Sequence, residues 1–240
     1  ATLDITPMHE WIDTGGKPLV IAGPCSAETE EQVHETVTQI AQEGYAHVIR
    51  AGVWKPRTRP GSFEGMGEAA LPWLAAVKKE TGLPIAVEVA TPDHIELALK
   101  YGIDILWIGA RTTVNPFNVQ EIADALRGVD VPVLVKNPVN PDLALWIGAF
   151  ERLQNSGLKK LAAIHRGFSN MQETKYRNSP FWQIAIELKT QFPQLPLIGD
   201  PSHMAGKRAY LFELAQRALD LNYDGLIIES HRDPDKAWSD

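Results

Sequence analysis

At 240 residues, with 44% hydrophobic and 22% charged residues, the chain has the composition of a soluble globular protein and room for one α/β barrel or two small domains. A formal charge of −7 argues against bulk nucleic-acid binding, and no apolar run approaches the ~20 residues that span a bilayer, so neither nucleic acid nor membrane is expected as a partner. The N-terminus lacks the basic-then-apolar pattern of a secretory signal and the single Cys25 precludes an intrachain disulfide, which makes a cytoplasmic protein the expectation.

Residues 1–17 are polar, turn at Gly15-Gly16, and read as a lead-in to the first strand or a cover for the bottom of a barrel. From residue 18 to residue 240, apolar strand-like runs alternate with amphipathic helical patterns, which is the signature of a parallel sheet. The strands are expected at Leu19–Ala22, His47–Val53, Ile85–Val89, Ile105–Ile108, Val131–Val135, Leu161–Ile164, Leu195–Ile198 and Gly225–Ile228. Helical faces fall between them: Val33, Val37 and Ile40 before Gly44, Leu71, Leu74 and Val77 before Gly82, and five more of the same kind. Eight strands and seven intervening helices predict an α/β fold, a (β/α)8 TIM barrel forming one catalytic domain. There is no G-x-G-x-x-G and no Walker motif. Asp240 falls about where an eighth helix would begin, so the natural chain is expected to continue, or a partner to cover the gap.

In such a barrel the side chains just past each strand converge on one face. Strand 1 ends in G-P-C-S with Cys25, strand 2 in K-P-R-T with Lys55, Arg57 and Thr58, and strand 3 carries Glu88. Strand 4 ends in G-A-R-T with Arg111, strand 5 in V-K-N with Lys136, and strand 6 in I-H-R-G with His165 and Arg166. Strand 7 ends in D-P-S-H with Asp200 and His203, and strand 8 carries Glu229, with Asp240 eleven residues on. Two groups emerge. Cys25, His203, Glu229 and Asp240 offer a thiol, an imidazole and two carboxylates, a donor set for one divalent transition-metal ion, with Mn2+, Fe2+, Co2+ and Zn2+ all compatible. Arg50, Lys55, Arg57, Arg111, Lys136 and Arg166 place six cations on one face of an acidic protein and point to more than one phosphate, unless they pair with Glu88, Asp200 or Glu229.

These motifs, in this order, resemble the class I 3-deoxy-D-arabino-heptulosonate 7-phosphate (DAHP) synthases of the compact subtype, over about Val20 to Asp240. The resemblance implies condensation of phosphoenolpyruvate with erythrose 4-phosphate to DAHP and phosphate, the first committed step toward aromatic amino acids. It implies a metal on Cys25, His203, Glu229 and Asp240, and phosphoenolpyruvate on Arg111, Lys136 and Arg166. Lys55 is implied near the reacting carbons, with Arg57 and Thr58 on the aldose phosphate. Catalytic roles are expected for Lys55 as proton donor, Glu88 as orienter of water and His203 at the metal; Arg50 and Asp200 are further expected substrate contacts. A homo-oligomer and a fused or associated chorismate mutase domain are the implied protein partners.

The chain departs from many relatives of this subtype at His165-Arg166-Gly167, where they have E-R-G, and at Lys136-Asn137-Pro138, where they have K-R-G. The cations survive both changes, so their supporting partners must differ. The sister family of 3-deoxy-D-manno-octulosonate 8-phosphate synthases, which use arabinose 5-phosphate, is the nearest alternative, and its Lys-Ala-Asn-Arg-type segment differs from Lys-Pro-Arg-Thr here. A non-catalytic scaffold barrel for a chorismate mutase is the alternative of a different class.

Overall fold

In the computed structural model, which describes residues 2–172 and 174–238, the two sequence periods become a regular alternation of strands and helices. The order is β1 (Leu19–Gly23), α1 (Glu30–Glu43), β2 (Val48–Ala51), α2 (Leu71–Thr81), β3 (Ile85–Val89), α3 (Pro92–Lys100), β4 (Ile105–Ile108), α4 (Ala110–Thr113), α5 (Pro116–Ala125), β5 (Val133–Lys136), α6 (Leu143–Asn155), β6 (Leu161–His165), α7 (Trp182–Gln191), β7 (Leu197–Gly199), α8 (Pro201–Ala205), α9 (Leu211–Asp220) and β8 (Gly225–Glu229). The strands pair in parallel in chain order, and β8 pairs with β1 to close the barrel. After β8 the described residues hold a single 3-10 turn, Pro234–Lys236.

The expected strands are all present, with shifted ends that have local causes. β5 and β7 start two residues late, at Val133 and Leu197, because Pro132 and Pro196 carry no N–H to donate. Both prolines still accept through their carbonyls, from Leu106 N and Ala163 N. The helices start and stop where their chemistry dictates. Thr29, Thr91, Asn115 and Asp142 cap α1, α3, α5 and α6 by accepting a backbone N–H of the first turn, and Gly44 and Gly82 end α1 and α2 in the left-handed conformation.

Two apolar layers share the strands. Inward residues such as Leu19, Ile21, Val48, Ala86, Trp107, Leu134, Ile164, Ile198 and Ile227 fill the barrel. Outward residues such as Ile49, Val87, Leu106, Val133, Ala163 and Leu197 pack under the helices. Met8, Trp11 and Ile12 of the lead-in pack against the inner layer, and Thr6 N is bound to the Lys159 carbonyl, so this segment lies across one end of the barrel interior.

His165 belongs to the outer layer. It was expected at the mouth with Arg166, but a strand sends neighbours to opposite faces. Its ring lies among Trp146, Phe168, Trp182 and Tyr223 and is fully buried. The Pro180 carbonyl can only accept, so Nε2 carries the proton and donates to it at 2.6 Å, and Nδ1 accepts from the Tyr223 hydroxyl at 2.8 Å. Burial pushes its pKa from 6.5 down to about 4. The unfolded chain therefore binds this proton more readily, so stability is complete above pH 6.5 and is lost as pH falls toward 4. Between about pH 7.5 and pH 5 this single group should cost about 2 kcal/mol. Urea unfolding at the two pH values should show a drop larger by that amount in the wild type than in His165→Gln; equal drops in both proteins would contradict the assignment.

Candidate active site at the barrel mouth

The strand period of two that fills the barrel also equips its mouth. On β2 the inward series runs Val48 to Arg50, on β3 Ala86 to Glu88, and on β5 Leu134 to Lys136. Past β6 it runs Ile164 to Arg166, past β7 Ile198 to Asp200, and on β8 Ile227 to Glu229. Two residues beyond Gly23 lies Cys25, and the β4 series passes from Trp107 through Gly109 to Arg111. Each apolar stack thus ends in a polar or charged residue at the same level.

The floor of the mouth is a set of buried charges. Arg50, 1% exposed, donates to the carbonyls of Pro24 and Cys25, which follow β1, and lies 4.8 Å over the Trp107 ring. Trp107 Nε1 donates to Glu88 at 3.0 Å. Gly109 lies against it: a Cβ there would come within 2.8 Å of the Glu88 carboxylate and would push it aside. Lys136 pairs with Asp200 at 3.1 Å, both side chains almost fully buried. Burial would raise the Asp200 carboxyl, but His203 and Lys136 outweigh it and hold the group far below the usual carboxylate range.

Above this floor is a cavity of about 120 Å³ lined by Lys55, Arg57, Arg111, Lys136 and Arg166 together with Cys25, Glu88 and His203. Arg57 Nε donates to the Phe63 carbonyl at 2.7 Å, and Arg111 Nε to the Thr58 hydroxyl at 3.2 Å, which joins the K-P-R-T segment to α4. Burial pushes Arg166 down to about 10, and Arg111 and Arg177 add to the shift.

The thiol, imidazole and carboxylate expected to bind metal meet at one edge of this cavity. His203 Nδ1 lies 2.8 Å from Asp200 Oδ2 and 3.0 Å from Glu229 Oε1, although neither contact is aligned as a hydrogen bond, and Glu229 Oε2 is buried with no partner. Burial acts to raise Glu229, but His203, Arg50 and Lys55 hold it low. Burial and Glu229 raise the Cys25 thiol. These donor types and the orphaned carboxylate oxygen fit a divalent transition metal. The cage is not closed as it stands. Lys55 Nζ sits 2.8 Å from Cys25 Sγ, and among the described residues no group of three or more His, Cys, Asp or Glu side chains is arranged to hold an ion. The fourth expected ligand, Asp240, lies outside the described residues.

The sequence reading missed Asn137, Arg177 and Asn178. Asn137 takes the place that the changed K-N-P motif left open: its carbonyl oxygen accepts Arg166 N at 2.7 Å and its amide donates to the Gly167 carbonyl at 2.8 Å. That residue stood inside a quoted motif and could have been found. Arg177 lines the cavity and Asn178 bonds to Arg166, but both come from the excursion after β6, which reaches the mouth through the Phe168–Ser179 bridge. No strand-end position marks them.

A family model described as the DAHP synthetase I family matches residues 4–240. The phospho-2-dehydro-3-deoxyheptonate aldolase of Thermotoga maritima is 32% identical over 221 residues, which make up 92% of this chain and 63% of that protein. The chain thus spans less than two thirds of that relative's length. A 2-dehydro-3-deoxyphosphooctonate aldolase of Desulfotalea psychrophila is 28% identical over 247 residues, covering 95% of this chain and 84% of that one. Among solved structures, the Thermotoga maritima DAHP synthase superposes with a TM-score of 0.84 at 29% identity, covering 100% of this chain and 71% of that one. A truncated form of 3-deoxy-D-arabino-heptulosonate 7-phosphate synthase from the same organism gives 0.83 at 29% identity, covering 99% of this chain and 84% of its own. With a family match across nearly its whole length and a barrel superposable on these enzymes, the chain belongs to the DAHP synthetase I family.

Proposed function

We propose that the chain catalyses the metal-dependent condensation of phosphoenolpyruvate with erythrose 4-phosphate, giving DAHP and phosphate. The observation that carries this reading is the single cavity in which Lys55, Arg57, Arg111, Lys136, Arg166 and Arg177 face Cys25, Glu88 and His203. Two phosphorylated substrates need two separate sets of cations; Arg111, Lys136 and Arg166 of the cavity suit phosphoenolpyruvate, and Arg57, with Thr58 bonded to Arg111, suits the aldose phosphate. Cys25, His203 and Glu229, with Asp240, would hold one divalent ion, of which Mn2+, Fe2+, Co2+ and Zn2+ suit the donors. When bound, the ion supplies Lewis-acid polarisation of the aldehyde oxygen. Lys55, in the segment after β2, lines the same space and delivers a proton to the alkoxide oxygen as the enol carbon of phosphoenolpyruvate bonds to the aldehyde carbon. Glu88, held by Trp107, orients the water that adds at C2, and the hemiketal phosphate then expels phosphate. Assembly as a homo-oligomer, a fused or associated chorismate mutase domain and a cytoplasmic location complete the proposal.

The sister reaction with arabinose 5-phosphate is the second reading, supported by the 28% identical relative. The Lys55-Pro56-Arg57-Thr58 segment favours the four-carbon sugar. Loss of the enol absorbance of phosphoenolpyruvate, followed with each sugar before and after EDTA and after Mn2+ is restored, decides between them. Turnover with erythrose 4-phosphate alone, abolished by EDTA and restored by Mn2+, is the expected result; turnover with arabinose 5-phosphate moves the chain to the sister reaction.

Lys55→Met should lower kcat by about 10²–10⁴-fold, the usual worth of a positioned proton donor, while the KM for phosphoenolpyruvate stays within about threefold. An equal rise in KM with kcat intact would make Lys55 a binding residue. Glu88→Gln keeps the shape and the indole contact and should also lose turnover; full activity in that variant removes Glu88 from the reaction.

A further inference from the structure

Asn178 stands between the two halves of the site and has no assigned role. The residue is buried, 8% exposed, and both ends of its carboxamide are engaged. The oxygen accepts from Arg166 at 3.1 Å, and the amide nitrogen donates to the His203 carbonyl at 2.7 Å. The orientation is forced, because a guanidinium can only donate and a carbonyl can only accept.

The His203 carbonyl needs this partner. α8 is five residues long and ends at Ala205, so its carbonyls run out of intrahelical donors almost at once. Asn178 supplies two replacements, its side chain to the His203 carbonyl and its backbone N–H to the Met204 carbonyl at 3.3 Å. The segment that carries Asn178 is itself pinned. Phe168 N donates to the Ser179 carbonyl at 2.8 Å, and Ser179 N returns a bond of 2.9 Å to Phe168. Gly167, at φ +85°, lets the two strands of this excursion touch: a Cβ there would lie 2.9 Å from the Asn178 Cβ.

We propose that Asn178 is a positioning residue that locks Arg166, on the anion side, to the helix turn bearing His203, on the metal side, so that the two halves of the site are held in one geometry. The proposal rests on the functional reading above. Through Arg166 it acts on anion affinity, and through α8 on the direction of the His203 ring. Asn178→Asp keeps an acceptor for Arg166 but places a carboxylate there that competes with an anionic substrate, and it removes the donor to His203. Asn178→Ala removes both contacts.

The test measures binding rather than activity alone. Phosphoenolpyruvate is titrated calorimetrically into the EDTA-treated protein, and free Mn2+ is followed by electron paramagnetic resonance in a separate titration, for the wild type and both variants. Phosphoenolpyruvate affinity should fall about ten- to hundredfold in Asn178→Asp and about tenfold in Asn178→Ala, with Mn2+ affinity falling severalfold in both. In steady state the loss should appear mainly in the KM for phosphoenolpyruvate. Variants that melt lower but bind both ligands like the wild type would show that Asn178 only braces the loop, and would overturn the proposal. If the wild type binds Mn2+ but not phosphoenolpyruvate, the functional reading fails, and unchanged Mn2+ affinity in the variants then overturns the Asn178 proposal separately. A wild-type protein that binds neither ligand overturns both.

Discussion

The mouth of the barrel depends on one buried charge. Asp200, 1% exposed, accepts from Lys136 Nζ, caps α8 through His203 N, and lies against His203 Nδ1. A carboxylate this dry is tolerated only because cations and donors surround it. In return it fixes three elements at once: the end of β5 through Lys136, the start of α8 through its cap, and the ring of His203 through a charge contact. Glu229 extends the same arrangement to β8, because its backbone N–H donates to Ser202 on α8. Removing Asp200 would leave Lys136 buried and unpaired under a cavity already crowded with cations. An ion pair, the alternative to phosphate binding for these cations, is therefore real for Lys136, and it coexists with a cavity lined by further cations.

The barrel was legible because its signals are repeated and short-range. Apolar runs such as Ile85–Val89 and Ile105–Ile108 match the observed strands residue for residue. The glycine stops at Gly44 and Gly82 fall where the helices end. What the sequence hid was local geometry at strand ends. The single-turn helices α4 and α8 carry Arg111 and His203, and four or five residues are too few to show a helical period. His165 was misplaced because a motif was read as a block, whereas alternation sends His165 under the helices and Arg166 into the mouth.

The site was legible as a list and not as a set of contacts. Lys136 and Arg166 could be named from the alternation, since each lies two residues past an inward apolar side chain, and Lys55, Arg57 and Arg111 from the motifs beyond their strands. Their partners could not be, because Asn178 arrives from an excursion whose return depends on a tertiary bridge, Phe168 to Ser179. Arg50 shows the opposite case. Its position satisfies the same rule as Lys136, yet its Nε and one Nη also donate to the carbonyls of Pro24 and Cys25. These contacts brace the turn after β1, where the Cys25 carbonyl also accepts from Gly52 N, and no side-chain pattern records them.

Net charge and local charge pull in opposite directions here. The chain carries −7 overall, while Lys55, Arg57, Arg111, Lys136 and Arg166 share one small cavity. Glu88, Asp200 and Glu229 offset part of that charge, but the Lys136–Asp200 pair is internal to the floor and leaves the upper cations facing the cavity. Burial makes the charged form of Arg166 costly, and its neighbours Arg111 and Arg177 increase the cost. Asp200 and Glu88 already offset part of that cost, and an anion in the cavity would offset more of it. The acidic remainder of the surface makes that attraction local: an anionic ligand gains nothing from the protein as a whole and a great deal from the one place where the strand ends converge.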